Sequence, residues 1–221
     1  MKRIIFAICT ASFLFACNAN ENTTAKTDET KPDSTAATAD SKPKSDDWIP
    51  VDSATAMKTM MEVGIPGEQH AMLAKSDGKW TGETTMWMSP GAPPMTGKSS
   101  AVNKMIMGGR YQQTTFKGDF MGMPFEGAST TGYDKAKKVF FSTWMDNMST
   151  GVMNMEGTWD DATKSINFKG RMICPANGKE CDMWEVYKIV DDNTHVMEMY
   201  GPDMQTGKEF KNMEIKFVRS K

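Results

Sequence analysis

Between residues 79 and 219 the apolar residues recur with a period of two rather than 3.6, and short polar turns interrupt the pattern at nearly regular intervals. Ten segments carry this signature: 79–88, 97–107, 110–117, 125–133, 139–146, 151–160, 165–173, 183–190, 194–200 and 209–219. Most breaks are built from Gly, Asp, Asn, Lys and Thr, as at Gly108-Gly109, 134–137, 160–163 and 191–193. None is long enough to hold a helical crossover, so consecutive strands must run antiparallel in a meander. Closure into an up-and-down barrel is the simplest way to remove the two edges of such a sheet. The expected fold is mainly β, a barrel of about ten strands, with a two-sheet sandwich as the alternative.

Two short helices are expected ahead of the strands. Asp52 or Ser53 caps the first, which places Ala54, Met57, Met60 and Met61 on one face and ends at Gly64 and Pro66. The second covers 67–74 and carries His70, Met72 and Leu73. They would cap one mouth of the barrel or pack on its outside.

The first 47 residues have a different character. Lys2 and Arg3 precede an apolar run over 4–15, too short to span a bilayer but of the length of a secretory signal core. It closes on Leu14-Phe15-Ala16-Cys17, which resembles a bacterial lipobox with an unusually bulky Phe15. This predicts a signal peptide over 1–16 and lipidation of Cys17, an ordinary signal peptide being the alternative. Residues 18–47 contain no aromatic side chain and too little apolar area to offset the entropy of ordering them. They read as a disordered tether with a reach of roughly 30 Å. One folded domain over 48–221 follows. The chain is thus expected to be an exported lipoprotein of the bacterial cell envelope, held to a membrane by its N-terminal lipid and facing the periplasm or the cell surface.

The net charge of -2, with acids and bases interleaved, leaves no footprint for nucleic acid. Outside the N-terminal segment only Cys174 and Cys181 remain, flanking a turn-rich hexapeptide. In an exported protein they are expected to form a disulfide rather than a metal site.

The runs Met86–Met95, Met105–Tyr111, Gly118–Gly127, Gly132–Gly151, Glu156–Lys164 and Asp191–Asp203 together resemble the bacterial family known as domain of unknown function 1579. The similarity extends from Pro66 to the C-terminus. It implies a single, often exported domain of calycin-like β-barrel type, without an established activity and without catalytic residues to carry over.

Twenty-two of the 221 residues are methionine, and within strands they recur as Met-x-Met at 86/88, 105/107, 153/155 and 197/199. Residues two apart share one face of a strand, so each pair sets two thioethers about 7 Å apart on the same side. Thioethers are ligands for Cu(I), but without a neighbouring Cys or His-rich tract they point to packing or to the lining of an adaptable apolar pocket. Trp87, Met88, Trp144, Met155 and Met199 are the candidate lining. Asp146 shares a face with Ser142 and Trp144 and either orients a ligand or accepts backbone hydrogen bonds in the following turn. Glu156 is a candidate to pair with it. His195, on one face with Met197 and Met199, is a candidate acid-base group or haem ligand, and His70 a helix cap. The nucleophile elbow, the P-loop, the dinucleotide fingerprint and the zinc-protease signature are all missing from the sequence. No cofactor or metal is therefore expected. The leading expectation is binding of a small apolar molecule. An enzyme using Asp146, Glu156, Glu198 or His195, and a non-catalytic envelope or stress protein, are the competing ones.

Overall fold

A computed structural model describes residues 48–221, so the expected signal peptide, Cys17 and the tether lie outside the described residues. Two short helices, α1 (Ser53–Val63) and α2 (Glu68–Ala74), precede ten strands. These are β1 (Gly78–Met86), β2 (Met95–Ile106), β3 (Tyr111–Phe120), β4 (Met123–Asp134), β5 (Val139–Asp146), β6 (Met153–Asp160), β7 (Ser165–Ile173), β8 (Glu180–Asp191), β9 (Thr194–Pro202) and β10 (Glu209–Arg219). Each pairs antiparallel with the next, and β10 returns to β1 with Trp80 opposite Arg219, closing the barrel. The closed sheet predicted from the periodicity is the observed architecture, and among the described residues no edge strand is left to template aggregation.

The alternation that marks the strands also builds the interior. Along β1, Trp80, Gly82 and Thr84 are buried while Thr81 and Glu83 are exposed. Two apolar clusters form on opposite walls. One gathers Phe140, Met155, Ile166, Phe168 and Met183 with Leu73 of α2. The other gathers Trp80, Ala101, Phe116, Ile215 and Phe217.

The two ends of the barrel differ. At one end the turns are tight, and α2 plugs the opening by inserting Leu73 and His70, both buried. A helix C-terminus leaves carbonyls without partners, and here side chains of the barrel supply them. Gln112 Nε2 donates to the Leu73 carbonyl at 2.7 Å, Trp80 Nε1 to the Ser76 carbonyl at 2.8 Å, and Arg219 to the carbonyls of Lys75 and Asp77 at 2.6 Å each. His70 accepts from the Gly67 N–H at 3.0 Å, the capping role expected of it, and its ring meets Tyr133 edge-on. The opposite end carries the connections 87–94, 121–122, 147–152, 174–179 and 203–208, and we call it the mouth.

Helix α1 is capped by Asp52, as expected, whose carboxylate accepts from Ala54 and Thr55 N–H at 3.1 and 3.0 Å. It buries no residue, however, and Met57, Met60 and Met61 are exposed. It is held by Lys135 Nζ, which donates to the Glu62 and Ile65 carbonyls at 2.7 and 3.0 Å.

Candidate functional site

The inner walls do not meet. Between the two apolar clusters lies a cavity of about 370 Å³ that runs from Leu73 and Gln112 at the α2 plug to Met86, Asp119, Phe120, Asp146 and Met172 at the mouth. That volume is at the lower end of the range for small-molecule sites. A larger cleft of about 560 Å³ lies between the turns 174–179 and 203–208, but it is more open to solvent and as polar as it is apolar. The interior is the enclosed and apolar space.

Methionine supplies much of the lining. Met153 and Met155 of β6, and Met197 and Met199 of β9, face the cavity as pairs, as the period of two requires. The other two pairs straddle strand ends and are split. Met86 reaches the cavity while Met88 is 60 % exposed beyond the end of β1, and Met107 sits with positive φ in the turn after β2. Trp87 likewise leaves the wall: it is half-buried outside the cavity, with the Lys211 ammonium 5.5 Å from its ring centroid. Trp87 and Met88 are therefore not part of the lining, because β1 ends at Met86 and the alternation stops with it.

Trp144 is part of it. Its indole stacks on Phe125 at 6.3 Å between centroids and meets Phe116 edge-on at 5.9 Å. The ring lies over Gly127, where any β carbon would overlap the indole. Asp146 stands at the mouth end of the same strand face, accepting from Trp144 Nε1 at 2.8 Å and from the Met148 N–H at 2.9 Å. The expected turn role is therefore observed, and the same side chain also lines the cavity.

The carboxylate pair between Asp146 and Glu156 does not exist. Met155 lies opposite Ser142 and faces in, so Glu156, opposite Phe141, faces out. It pairs with Lys137 at 2.7 Å on the exposed surface. Glu198 points outward too, to Lys211 at 3.0 Å and Tyr200 at 3.0 Å.

His195 does face inward, but at the closed end and outside the cavity lining. It is 3 % exposed, its ring lies 4.4 Å from Trp80, and Nδ1 is 2.8 Å from the Tyr187 hydroxyl. Burial, with the Arg219 charge second, pushes its pKa down to about 4, so the imidazole is neutral near pH 7. A ring covered by Trp80, with one nitrogen engaged by Tyr187, is a packed core histidine rather than an axial ligand presented to a bound group.

The expected disulfide is not formed: Cys174 and Cys181 are separate thiols. The turn between them is closed by backbone instead, Cys174 N–H to the Lys179 carbonyl and Gly178 N–H to the Cys174 carbonyl, both at 2.8 Å. The Cys181 thiol turns to the Met172 carbonyl at 3.6 Å.

The residue that the periodicity did not single out is Glu185. It lies on the inner face of β8, opposite Phe168 on one side and Met199 on the other, with Met183 above and Tyr187 below. It is half-buried and lines the cavity. Burial alone pushes its pKa up to about 7, with no hydrogen bond or opposite charge acting against it. Tyr187 beneath it is held protonated, mainly by burial and secondarily by the Glu185 charge. Alternation along Met183, Glu185 and Tyr187 could have located this carboxyl. The intervening Trp184 and Val186 are also apolar, however, so both faces of the segment read as candidates for the interior.

The comparisons agree with this picture at the level of fold. The crystal structure of Rv2717c from M. tuberculosis is similar with a TM-score of 0.55 at 13% sequence identity, over 71% of this chain and 100% of that one. No curated protein matches the chain. A family model described as protein of unknown function (DUF1579) matches residues 65–219, from the residue before Pro66 to the last residue of β10. That span takes in α2, all ten strands and hence every residue of the cavity wall, and the chain belongs to the DUF1579 family.

Proposed function

We propose that this protein binds a small, largely apolar molecule inside its barrel. The supporting observation is the enclosed cavity of about 370 Å³, walled by methionine and aromatic side chains on a closed sheet. A domain that only needed to be stable would fill this space, because packing to normal density gains dispersion contacts that a hollow forfeits. Unbranched thioethers suit a site that must shape itself to its occupant. Catalysis by Asp146, Glu156, Glu198 and His195 has no support in the arrangement: they are spread over the mouth, the outer surface and the packed closed end.

The test is to fill the hollow. Met155→Trp, on the wall of the cavity, is expected to leave the far-ultraviolet dichroism unchanged. It should lower the affinity for an environment-sensitive apolar dye by about tenfold or more, the cost of overpacking a wall that must also hold a ligand being about 1–3 kcal/mol. Equal dye binding by the variant would show that the interior is not the site.

The same reading includes location. The run over 4–15 and the Leu14-Phe15-Ala16-Cys17 sequence support export and lipid anchoring at Cys17, with the tether presenting the barrel to the periplasm or the cell surface. Metabolic labelling with an alkyne palmitate analogue should mark the full-length chain in a bacterial envelope and fail to mark Cys17→Ser. Labelling of both would overturn the anchor.

A further inference from the structure

We infer that the ligand class of this cavity is an amphiphile carrying a positive charge, an amine or quaternary ammonium, whose cationic head is received by Glu185. This rests on the reading of the cavity as a binding site and adds its chemical selectivity. Three carboxyl groups line the cavity, Asp119, Asp146 and Glu185, and among the described residues no Lys, Arg or His does. An anionic ligand such as a fatty acid would enter a space with no positive side chain to meet it and with an acid at its centre. A cation finds the reverse.

The three acids are not equivalent. Asp119 and Asp146 stand at the mouth and are engaged locally, Asp119 with the Gly122 N–H at 2.6 Å and Asp146 with Trp144 Nε1 and the Met148 N–H. Glu185 lies midway down the barrel, and among the described residues its carboxyl has no hydrogen-bond or ion-pair partner. A polar group so placed normally has a partner, and an unpaired one is a place for a ligand's complementary group. The surrounding rings and thioethers suit that head as well, since aromatic faces attract cations and sulfur is polarisable. Phe168 is directly opposite Glu185 across the strand pair.

The groups packed against Glu185 leave it as the titrating element. Its neighbours on β7 are Ile166 and Phe168, and on β9 Met197 and Met199, all uncharged. On its own strand Tyr187 is held protonated, and beyond it the neutral His195 and the Arg219 guanidinium close the end of the barrel. Raised by burial to about 7, the carboxyl is largely neutral in mildly acidic solution and charged in mildly basic solution. Binding of a fixed cation should therefore strengthen as pH rises through that value.

The experiment compares decyltrimethylammonium, decanol and decanoate, each below its micelle concentration, by titration calorimetry on the barrel domain at about pH 8.5 and about pH 5.5, on either side of the raised carboxyl pKa. The wild type is expected to bind the ammonium about tenfold or more tighter than decanol at the higher pH, and decanoate weakest. The preference of the ammonium over decanol should shrink towards equality at the lower pH and in Glu185→Gln at both. If decanol binds but the ammonium binds no tighter, or decanoate binds tightest, the cavity reading stands and the cationic class is wrong. If Glu185→Gln keeps the full ammonium preference, the head is received elsewhere and the assignment to Glu185 falls. If none of the three binds, the cavity reading itself falls.

Discussion

Truncating Trp80 to alanine should lower the stability of the barrel by about 3–5 kcal/mol, the range for removing a fully buried tryptophan. Trp80 is 2 % exposed and joins the closed end in three directions. Its Nε1 caps the Ser76 carbonyl, one face supports His195, and the Arg219 guanidinium lies 4.4 Å from its ring centroid. Without the indole, Arg219 loses the surface that positions it to bind the Lys75 and Asp77 carbonyls, and the α2 plug loosens along with the cavity wall behind it. For a domain of this size the loss corresponds to a fall in Tm of about 6–20 °C. Urea denaturation checks the free energy, with Trp48→Ala as the control. Trp48 is 78% exposed, and its removal should cost less than about 0.5 kcal/mol. A small effect of Trp80→Ala would mean that the closed end is held by the strand turns alone.

The closed end also shows what could be read from sequence. The bounds of β5, β7 and β10 coincide with those expected from the period of two, because the turns at 134–137 and 160–163 and the chain's polar ends punctuate them sharply. The helix caps at Asp52 and His70 were equally local, and local chemistry is legible. What was not legible is which face of a strand points inward. That depends on register, and a slip of one residue exchanges the two faces. Glu156 illustrates this, because the connection 147–152 hides the pairing of β5 with β6 and the observed pairing of Ser142 with Met155 puts Glu156 outside. Trp87 and Met88 fall outside the wall because β1 ends at Met86, a boundary the alternation does not mark. Glu185 is hidden for the opposite reason, since a strand apolar on both faces gives no contrast from which to pick out its one inward acid. Met155 is the clearest case, since Met-Asn-Met-Glu on β6 alternates cleanly, and Trp144, Asp146 and Met199 also lie on the inward face.

Replacing Glu185 by leucine is expected to stabilise the protein, and by an amount that depends on pH. A carboxyl whose folded pKa lies above its unfolded value binds more protons folded than unfolded, so stability falls as pH rises between the two. Here the window runs from the ordinary value of 4.5 to about 7. At 1.36 kcal/mol per pKa unit the penalty at pH 8 is at most about 3 kcal/mol, and contact with the cavity reduces it to about 2 kcal/mol. His195 acts in the other direction: its folded pKa is depressed to about 4, so its contribution is lost as pH falls from 6.5. Comparing Glu185→Leu with the wild type at each pH cancels the histidine and isolates the carboxyl. The variant should gain about 2 kcal/mol by urea denaturation at pH 8 and much less at pH 4.5, where the wild type is protonated at this site when folded and half protonated when unfolded. An equal gain at both pH values would assign the effect to better packing, and no gain would mean that the carboxyl is already satisfied. A residue that lowers stability at neutral pH, when the isosteric Gln or the apolar Leu would not, is the pattern found where a site is kept for function rather than for folding. The destabilisation and the proposed affinity for a cation then have one origin: the unmet charge that weakens the empty barrel is the charge that an ammonium would neutralise.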